Sequence, residues 1–560
     1  MGRITRMSAA PGLRVLCAAA AALAAGASRP PAFVHLAPSS DATRMHVQWS
    51  TGLFPWPASQ GDSLGSGVST VQYGASPRAL TAQATGANWS WTDSLSPTNR
   101  TYTHHLATMT GLEPGAVYFF RVGVPLDGWS AISSFRATRA AADISPAAPL
   151  RLLLFGDMGW TNAQALSYLQ DEVAAQYFDA VIDLGDYAYD LPNMDGLFGD
   201  EFQLAVQPIT STTPFFGVVG NHEGAAGFQH YLHRFRVFAA DGASGLTPAG
   251  LPGLLPGLPN NFWTSLDLGV AHFATVSTEC YFIEGCPALQ AAWLEADLAA
   301  AAARRGARPW LIVLAHRSVY CSCDDDCDFA ATVVREGVMV NGTRMWGLEP
   351  LLVKFGVDLF LNAHEHNYER NYAVLNSTLV TGPSSGAPGG NASAPEVIVD
   401  AAAPVYIVEG CAGDKENHEP FTRAQPPYSA FRSNTYGYGR LTIYNGSHLL
   451  YEHVQTDNGQ PATTGSVIDA MLLVKRRSGG GGGWLSPAAD ALSPPTLTLN
   501  VSVASDGDGV SVTIDGQGRA PSAADWIGLF DATADLASAA PIKLAYPFTA
   551  FASYTPPGGR

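Results

Sequence analysis

Aspartate, asparagine and histidine recur in this sequence where apolar runs stop, the places from which a parallel β-sheet delivers side chains to its edge. "LRLLLFGDMG" closes on Asp157, "FDAVIDLGDYAYD" carries Asp186 and Tyr189, and "PFFGVVGNHE" reaches Asn221 and His222. "WLIVLAH" stops at His316, and "VDLFLNAHEH" at His364 and His366. One aspartate after a strand is more often a turn residue than a ligand. Five consecutive runs ending this way are different, because parallel topology brings their ends to one edge, where sites in such sheets form. The chemistry these types share is metal ligation. Carboxylates, imidazoles and a phenol, with no thiolate among them, suit two hard or borderline ions, and a tyrosinate favours Fe(III). In an extended segment residues i and i+2 point the same way, so His364 and His366 would face one site with Glu365 turned elsewhere.

The elements needed to hold such a site are legible. From about Pro30 to Ala140, "RMHVQWS", "STVQYG", "YTHHLATM" and "AVYFFRV" alternate in polarity as half-buried strands do, which predicts a β-sandwich. Beyond it, near-continuous apolar strands alternate with helical stretches such as "AQALSYLQDEVAAQ" and "LQAAWLEADLAAAAARR", the pattern of an α/β fold with parallel strands. Five glycines at 479–483 read as a linker, and "TLTLNVSVAS" and "VSVTIDG" after it as strands of a small β-rich module or a partly disordered tail. The expected order is therefore a signal peptide (1–27), a sandwich (28–142), an α/β domain (148–474), the linker (475–487) and the tail (488–560).

Taken in order, GDxG, GDxxY, GNHE, VxxH and an H-x-H pair resemble the signature of the purple acid phosphatases, over roughly residues 30 to 474. The resemblance implies a fibronectin-type-III-like N-terminal domain followed by a four-layer αββα metallophosphoesterase domain. It implies that Asp157, Tyr189 and His366 hold Fe(III), that Asn221, His316 and His364 hold a divalent ion (Zn, Fe or Mn), and that Asp186 bridges the two. The implied activity is acid hydrolysis of phosphate monoesters by a metal-bound hydroxide. A phosphodiesterase or nucleotide pyrophosphatase with the same ions is the alternative enzyme, and a non-catalytic glycoprotein that kept the fold is the other alternative. His222 is the candidate to bind the phosphoryl oxygens and protonate the leaving group, with a supporting hydrogen-bonding role as its plainer reading. Arg317, beside His316, reads either as a phosphate contact or as a solvated surface residue.

The sequence departs from the family pattern in three places. Ala363 stands where a glycine is usual. Asp325 and Asp326 occupy the places of a histidine pair found in plant-type members, inside "CSCDDDC". "GCAGD" moves a cysteine, and His418, in the following "GDKENHEPF", is the candidate to contribute in place of the missing pair. "VSVTIDGQGRAPSAADWIGLF" also resembles a small β module that precedes the catalytic region in some larger members.

The remaining features give an address and exclude partners. Arg3, Arg6 and Arg14 precede a 13-residue apolar run, "VLCAAAAALAAGA", that ends in small residues. A bilayer needs about 20 residues, so the run reads as a secretory signal and no integral membrane segment is expected. Cys17 falls in that signal, leaving Cys280, Cys286, Cys321, Cys323, Cys327 and Cys411, an even set suited to disulfides. Proximity favours Cys280–Cys286, and disulfides are favoured over zinc for "CSCDDDC". Sequons at Asn88, Asn99, Asn341, Asn376, Asn391, Asn445 and Asn500 fit a glycosylated exterior. A net charge of −17 argues against nucleic acid as a partner. A small phosphate ester remains possible because bound metal inverts the local field, and the sequence leaves room for a homo-oligomer.

Overall fold

The computed structural model describes residues 31–51, 68–125, 128–175, 177–241, 260–283, 285–390, 394–456 and 465–476, with the backbone of two further strands at 497–503 and 510–516. The expected signal peptide, most of the glycine-rich linker, Asn391 and the "DWIGLF" stretch lie outside these residues.

The alternating N-terminal segments fold as a sandwich. One sheet contains Ala32–Pro38, Met45–Thr51, Thr101–Met109 and Ala87–Thr92; the other is built around Thr70–Gly74 and Val117–Val124. Inward-facing Val47, Trp49, Val71, Phe120 and Val122 fill the space between them, as the two-residue strand period requires.

The next domain is a pair of sheets. In the first, β1 (Leu150–Phe155), β2 (Ala180–Asp183) and β3 (Phe215–Gly217) run parallel. Gly437–Ile443 continues this sheet antiparallel to β1, followed by His448–Gln455 and Ser466–Val474. In the second, β4 (Trp310–Leu314), β5 (Leu359–Asn362) and Val405–Glu409 are parallel neighbours, flanked by Ala271–Thr275 and Tyr368–Leu375.

Alternation within each strand divides the packing. Leu152, Leu154 and Ile182 meet Ile312, Leu314, Leu361 and Val405 in a core between the sheets. Leu153 and Phe155 face the other way, toward Leu169 of helix Leu166–Ala175 and Phe202 and Val206 of helix Leu197–Thr210. Val313, Phe360 and Tyr406 do the same on the second sheet, against helices Cys286–Ala303 and Leu348–Phe355. The result is four layers, αββα.

This arrangement corrects one expectation. The five site-bearing runs do not share an edge: three belong to the first sheet and two to the second, so the site forms where the carboxyl ends of two facing sheets meet. Beyond the domain, Leu497–Val503 and Val510–Gly516 pair as an antiparallel ribbon. Among the described residues no helix is long and apolar enough to cross a membrane. Cys280 pairs with Cys286 and Cys321 with Cys327. Cys323 and Cys411 stay as buried thiols, so the even count does not translate into full pairing.

Candidate metal centre

The loops after the five strands bring the seven expected donors together, all but Asn221 buried. They form two groups about Asp186. In one, the Tyr189 hydroxyl lies 2.8 Å from Asp157 Oδ1 and 2.8 Å from His366 Nε2. In the other, His316 Nε2 lies 3.0 Å from Asn221 Oδ1 and 3.2 Å from Asp186 Oδ2, and ligand atoms of Asp186, His316 and His364 fall within 4.8 Å of one another. Carboxylate, imidazole, phenol and amide donors converge from separate loops with no thiolate among them. That donor chemistry fits a pair of hard or borderline ions.

The backbone explains how short loops deliver so many polar groups. Asp157, Asp186, Tyr189 and His364 have φ of 54°, 58°, 47° and 72°, a left-handed conformation that ordinary residues rarely adopt and that concentrates at functional sites. His364 therefore does not sit in an extended segment. His-x-His is a bend, and it turns both imidazoles toward the site by a different route from the one expected. Ala363 is fully buried and the positive φ falls on the next residue, so alanine meets no backbone strain there. Gly220 is required for space: a Cβ on it would lie 2.1 Å from Asp186 Oδ1.

Hydrogen bonds fix the rings. His316 Nδ1 is 2.9 Å from the Leu184 carbonyl, and His366 Nδ1 is 3.2 Å from the Asn417 carbonyl. Each leaves Nε2 to face the donors, the arrangement that orients metal-binding imidazoles. Burial works against charge on His316 and His366, but the carboxylates of Asp186 and Asp157 push them up to about 10. Burial also opposes ionisation of Asp186, yet the His316 charge holds it well below the usual carboxylate range. Burial, and then Asp157, push the Tyr189 phenol well above 10.

The other expected residues fall at different distances from this centre. His222 packs on Tyr189 with ring centroids 4.4 Å apart. Its Nδ1 is hydrogen-bonded to Asp190, while Nε2 points inward, 3.9 Å from Asp186 Oδ2 and 3.6 Å from Glu416. Burial would lower its pKa, but Asp190 and Asp186 raise it to about 9. Arg317 is not a solvated surface group. It is held 2.8 Å from Glu279 and 2.8 Å from Asp326, and its Nη1 lies 2.8 Å from His364 Nε2. His418 is near the centre, with its Nδ1 2.9 Å from the His366 carbonyl and its ring packed on Tyr436.

Several neighbours escaped the sequence reading. Asp190 directly follows Tyr189, and Glu223 closes the GNHE block. The Glu223 carboxylate accepts the backbone N–H groups of Gly220, Asp186 and Tyr187 at 2.9–3.0 Å. Glu419 accepts from the His366 N–H at 2.7 Å, and Lys415 Nζ lies 3.0 Å from the Tyr189 carbonyl. Asp190 and Glu223 could have been found by asking what supports each ligand; the loop bearing Lys415 and Glu419 has no such adjacency. Of the sequons, Asn88, Asn99, Asn341 and Asn376 are exposed and Asn445 is half-buried.

A sandwich joined to an αββα layer structure, with ligand types at the meeting edges of both sheets, defines a metallophosphoesterase. Residues 31–137 match the family "Purple acid Phosphatase, N-terminal domain", residues 150–368 "Calcineurin-like phosphoesterase", and residues 403–470 "Iron/zinc purple acid phosphatase-like protein C". The chain is 35% identical to acid phosphatase type 7 of Danio rerio over 80% of its length and 91% of the relative's. It is 33% identical to the Homo sapiens protein of that name over 80% of its length and 92% of the relative's. A purple acid phosphatase from seeds of yellow lupin (Lupinus luteus) shares the fold, with a TM-score of 0.58 over 80% of this chain and 74% of the lupin chain at 22% identity. The chain belongs to the purple acid phosphatase family and is an acid phosphatase.

Proposed function

We propose that the protein is a secreted, glycosylated enzyme that hydrolyses small phosphate monoesters at acid pH, using Fe(III) beside a divalent Zn, Fe or Mn ion. The observation that carries this reading is the division of the donors about Asp186. Asp157, Tyr189 and His366 would hold Fe(III), Asn221, His316 and His364 would hold the divalent ion, and Asp186 would touch both. Two such ions supply charge that clamps a phosphoryl group and acidifies water, the trivalent ion doing so strongly enough for work at low pH.

The chain's own residues do the rest. His222 presents Nε2 to the centre while Asp190 holds Nδ1, so the proton at Nε2 is the one available to an ester oxygen as it leaves. Nothing in the chain's spacing replaces the plant-type histidine pair directly, and Arg317, tied to Asp326 in that region, brings its Nη1 to 2.8 Å from His364 Nε2. Exposed sequons and the N-terminal apolar run support the secretory address. A homo-oligomer remains compatible with these features.

The test is metal analysis of purified protein together with hydrolysis assays on mono- and diesters at acid pH. The expected sample contains iron, is pink to purple, and prefers the monoester. Tyr189→Phe should remove the visible band, because the colour arises from tyrosinate-to-iron charge transfer. A colourless active enzyme would point to other ions, and an iron-free, inert protein would sink the reading.

A further inference from the structure

"CSCDDDC" holds three cysteines of which only two can pair, and the third is in contact with the bond. Cys323 Sγ lies 3.4 Å from Cys327 Sγ, which is bonded to Cys321. Beneath them is the Glu365 carboxylate, buried at 1% exposure. Its Oε2 accepts the Cys323 thiol at 2.7 Å, while its Oε1 lies 3.4 Å from Cys321 Sγ. One buried carboxylate thus touches both the free thiol and the sulfur that exchange would release.

We propose that this segment is an isomerisable disulfide, in which Cys327 pairs either with Cys321 or with Cys323. In the exchange, Cys323 Sγ forms a bond to Cys327 Sγ, the Cys321–Cys327 bond breaks, and the electron pair of that bond leaves on Cys321 Sγ. The proton lost from Cys323 is matched by the one Cys321 gains. No oxidant or reductant is consumed, because one thiol and one disulfide are present before and after.

Two features make both pairings tenable. A buried carboxylate needs a donor, and Glu365 has one either way: the Cys323 thiol in the first pairing and the Cys321 thiol in the second. Cys327, the shared partner, is among the less deeply buried of the three at 9% exposure, with Cys323 at 0%. The interior position of Cys323 keeps exchange slow, since burial followed by the Glu365 charge pushes its thiol up and thiolate is the attacking form. Glu365 lies between His364 and His366, so the two pairings support that bend through different sulfurs. The inference does not depend on the phosphatase reading.

The test locates the free thiol. Native protein is held at mildly alkaline pH, quenched in acid, alkylated with a maleimide under conditions that stop exchange, and digested without reduction. Fragmentation then reads which cysteine of the segment carries the label. Label divided between Cys321 and Cys323, with Cys327 unlabelled, is expected; label confined to Cys323 after long incubation overturns the proposal. Cys321→Ser gives a second reading by thiol titration after unfolding in acid. It should show one thiol fewer than the parent protein, because Cys323 now pairs with Cys327. One thiol more would mean that the second pairing cannot close. If that variant does not fold, the labelling of the parent protein decides alone.

Discussion

At the scale of single residues, Asp190 holds His222, the residue proposed to protonate the leaving group, through a hydrogen bond to Nδ1. Burial disfavours the imidazolium, and the hydrogen bond and charge of Asp190, with the charge of Asp186, outweigh it to give a pKa of about 9. Removing Asp190 leaves burial less opposed, so His222 should lose its proton at lower pH. Asp190→Asn should therefore move the alkaline limb of the kcat profile toward acid and lower kcat roughly 10-fold, the usual scale for losing a group that orients a site residue. A full pH–rate profile checks this; an unmoved alkaline limb would mean that His222 is not the acid. How much of the site could be read in the sequence divides along the same line. Residue type and strand-end position mark the side chains that the structure brings together, because metal ligation calls for particular atoms, and the family resemblance assigns them as seven donors. Asp190 and Glu223 were passed over because a supporting carboxylate has no signature beyond adjacency. Sequence alone does not separate a phosphate contact from a surface arginine at Arg317, because its partner Glu279 is remote in sequence, in a 3-10 turn at Thr278–Phe282.

At the scale of elements, an α/β fold with parallel strands is legible because buried strands and amphipathic helices have different periods, whereas the four-layer αββα arrangement rests on the family resemblance. The pairing of strands into two sheets was not, since continuous apolar runs carry no mark of which neighbour they join. The extended His-x-His failed for a related reason: strand β5 ends at Asn362, and the bend after it is set by tertiary contacts, including the His364 N–H donating to Asp157 Oδ2 at 2.7 Å. The hairpin Thr264–Leu268/Ala271–Thr275 offers a test at this scale. His272 ties it to helix Cys286–Ala303, with Nδ1 2.7 Å from Asp267 and Nε2 2.9 Å from Asp297. Burial lowers the pKa of His272, but the two carboxylates prevail and raise it to about 9. A raised folded-state pKa gives stability that is fully present below the unfolded value near 6.5 and is lost as pH rises through about 9. His272→Asn should thus cost on the order of 2 kcal/mol at pH near 6 and much less above pH 9. Thermal melts of both proteins across that range check it; an equal gap at both ends would show that packing, not charge, holds the hairpin to the helix.

At the scale of the whole molecule, the sandwich is joined to the catalytic domain through a buried polar seam. Asp200, on helix Leu197–Thr210, receives Arg100 from the sandwich and Arg234 from its own domain, the latter at 2.9 Å. Both arginines also stack on Tyr102 of the sandwich, 4.8 and 4.6 Å from its ring centroid. Nearby, Gln48 donates to the carbonyls of His233 and Arg234 and accepts from the Val237 N–H, and Trp91 stacks on His233 at 4.6 Å. The elements carrying this seam are the helices that follow the Tyr189 and His222 loops, Leu197–Thr210 and Ala225–Arg234. Loosening the seam should therefore be felt at the metal donors. Asp200→Ala leaves two buried guanidinium groups without their shared carboxylate, a change that typically costs about 3–5 kcal/mol. The expected outcome is a lower Tm and reduced metal content at equal protein, read by calorimetry and metal analysis. Replacing Tyr102 by Leu, which removes the stacking surface but leaves the ion pairs, should cost less and spare the metal. If Asp200→Ala melts like the parent protein and keeps its metal, the sandwich is a passive neighbour; if both fall together, it is a structural part of the site.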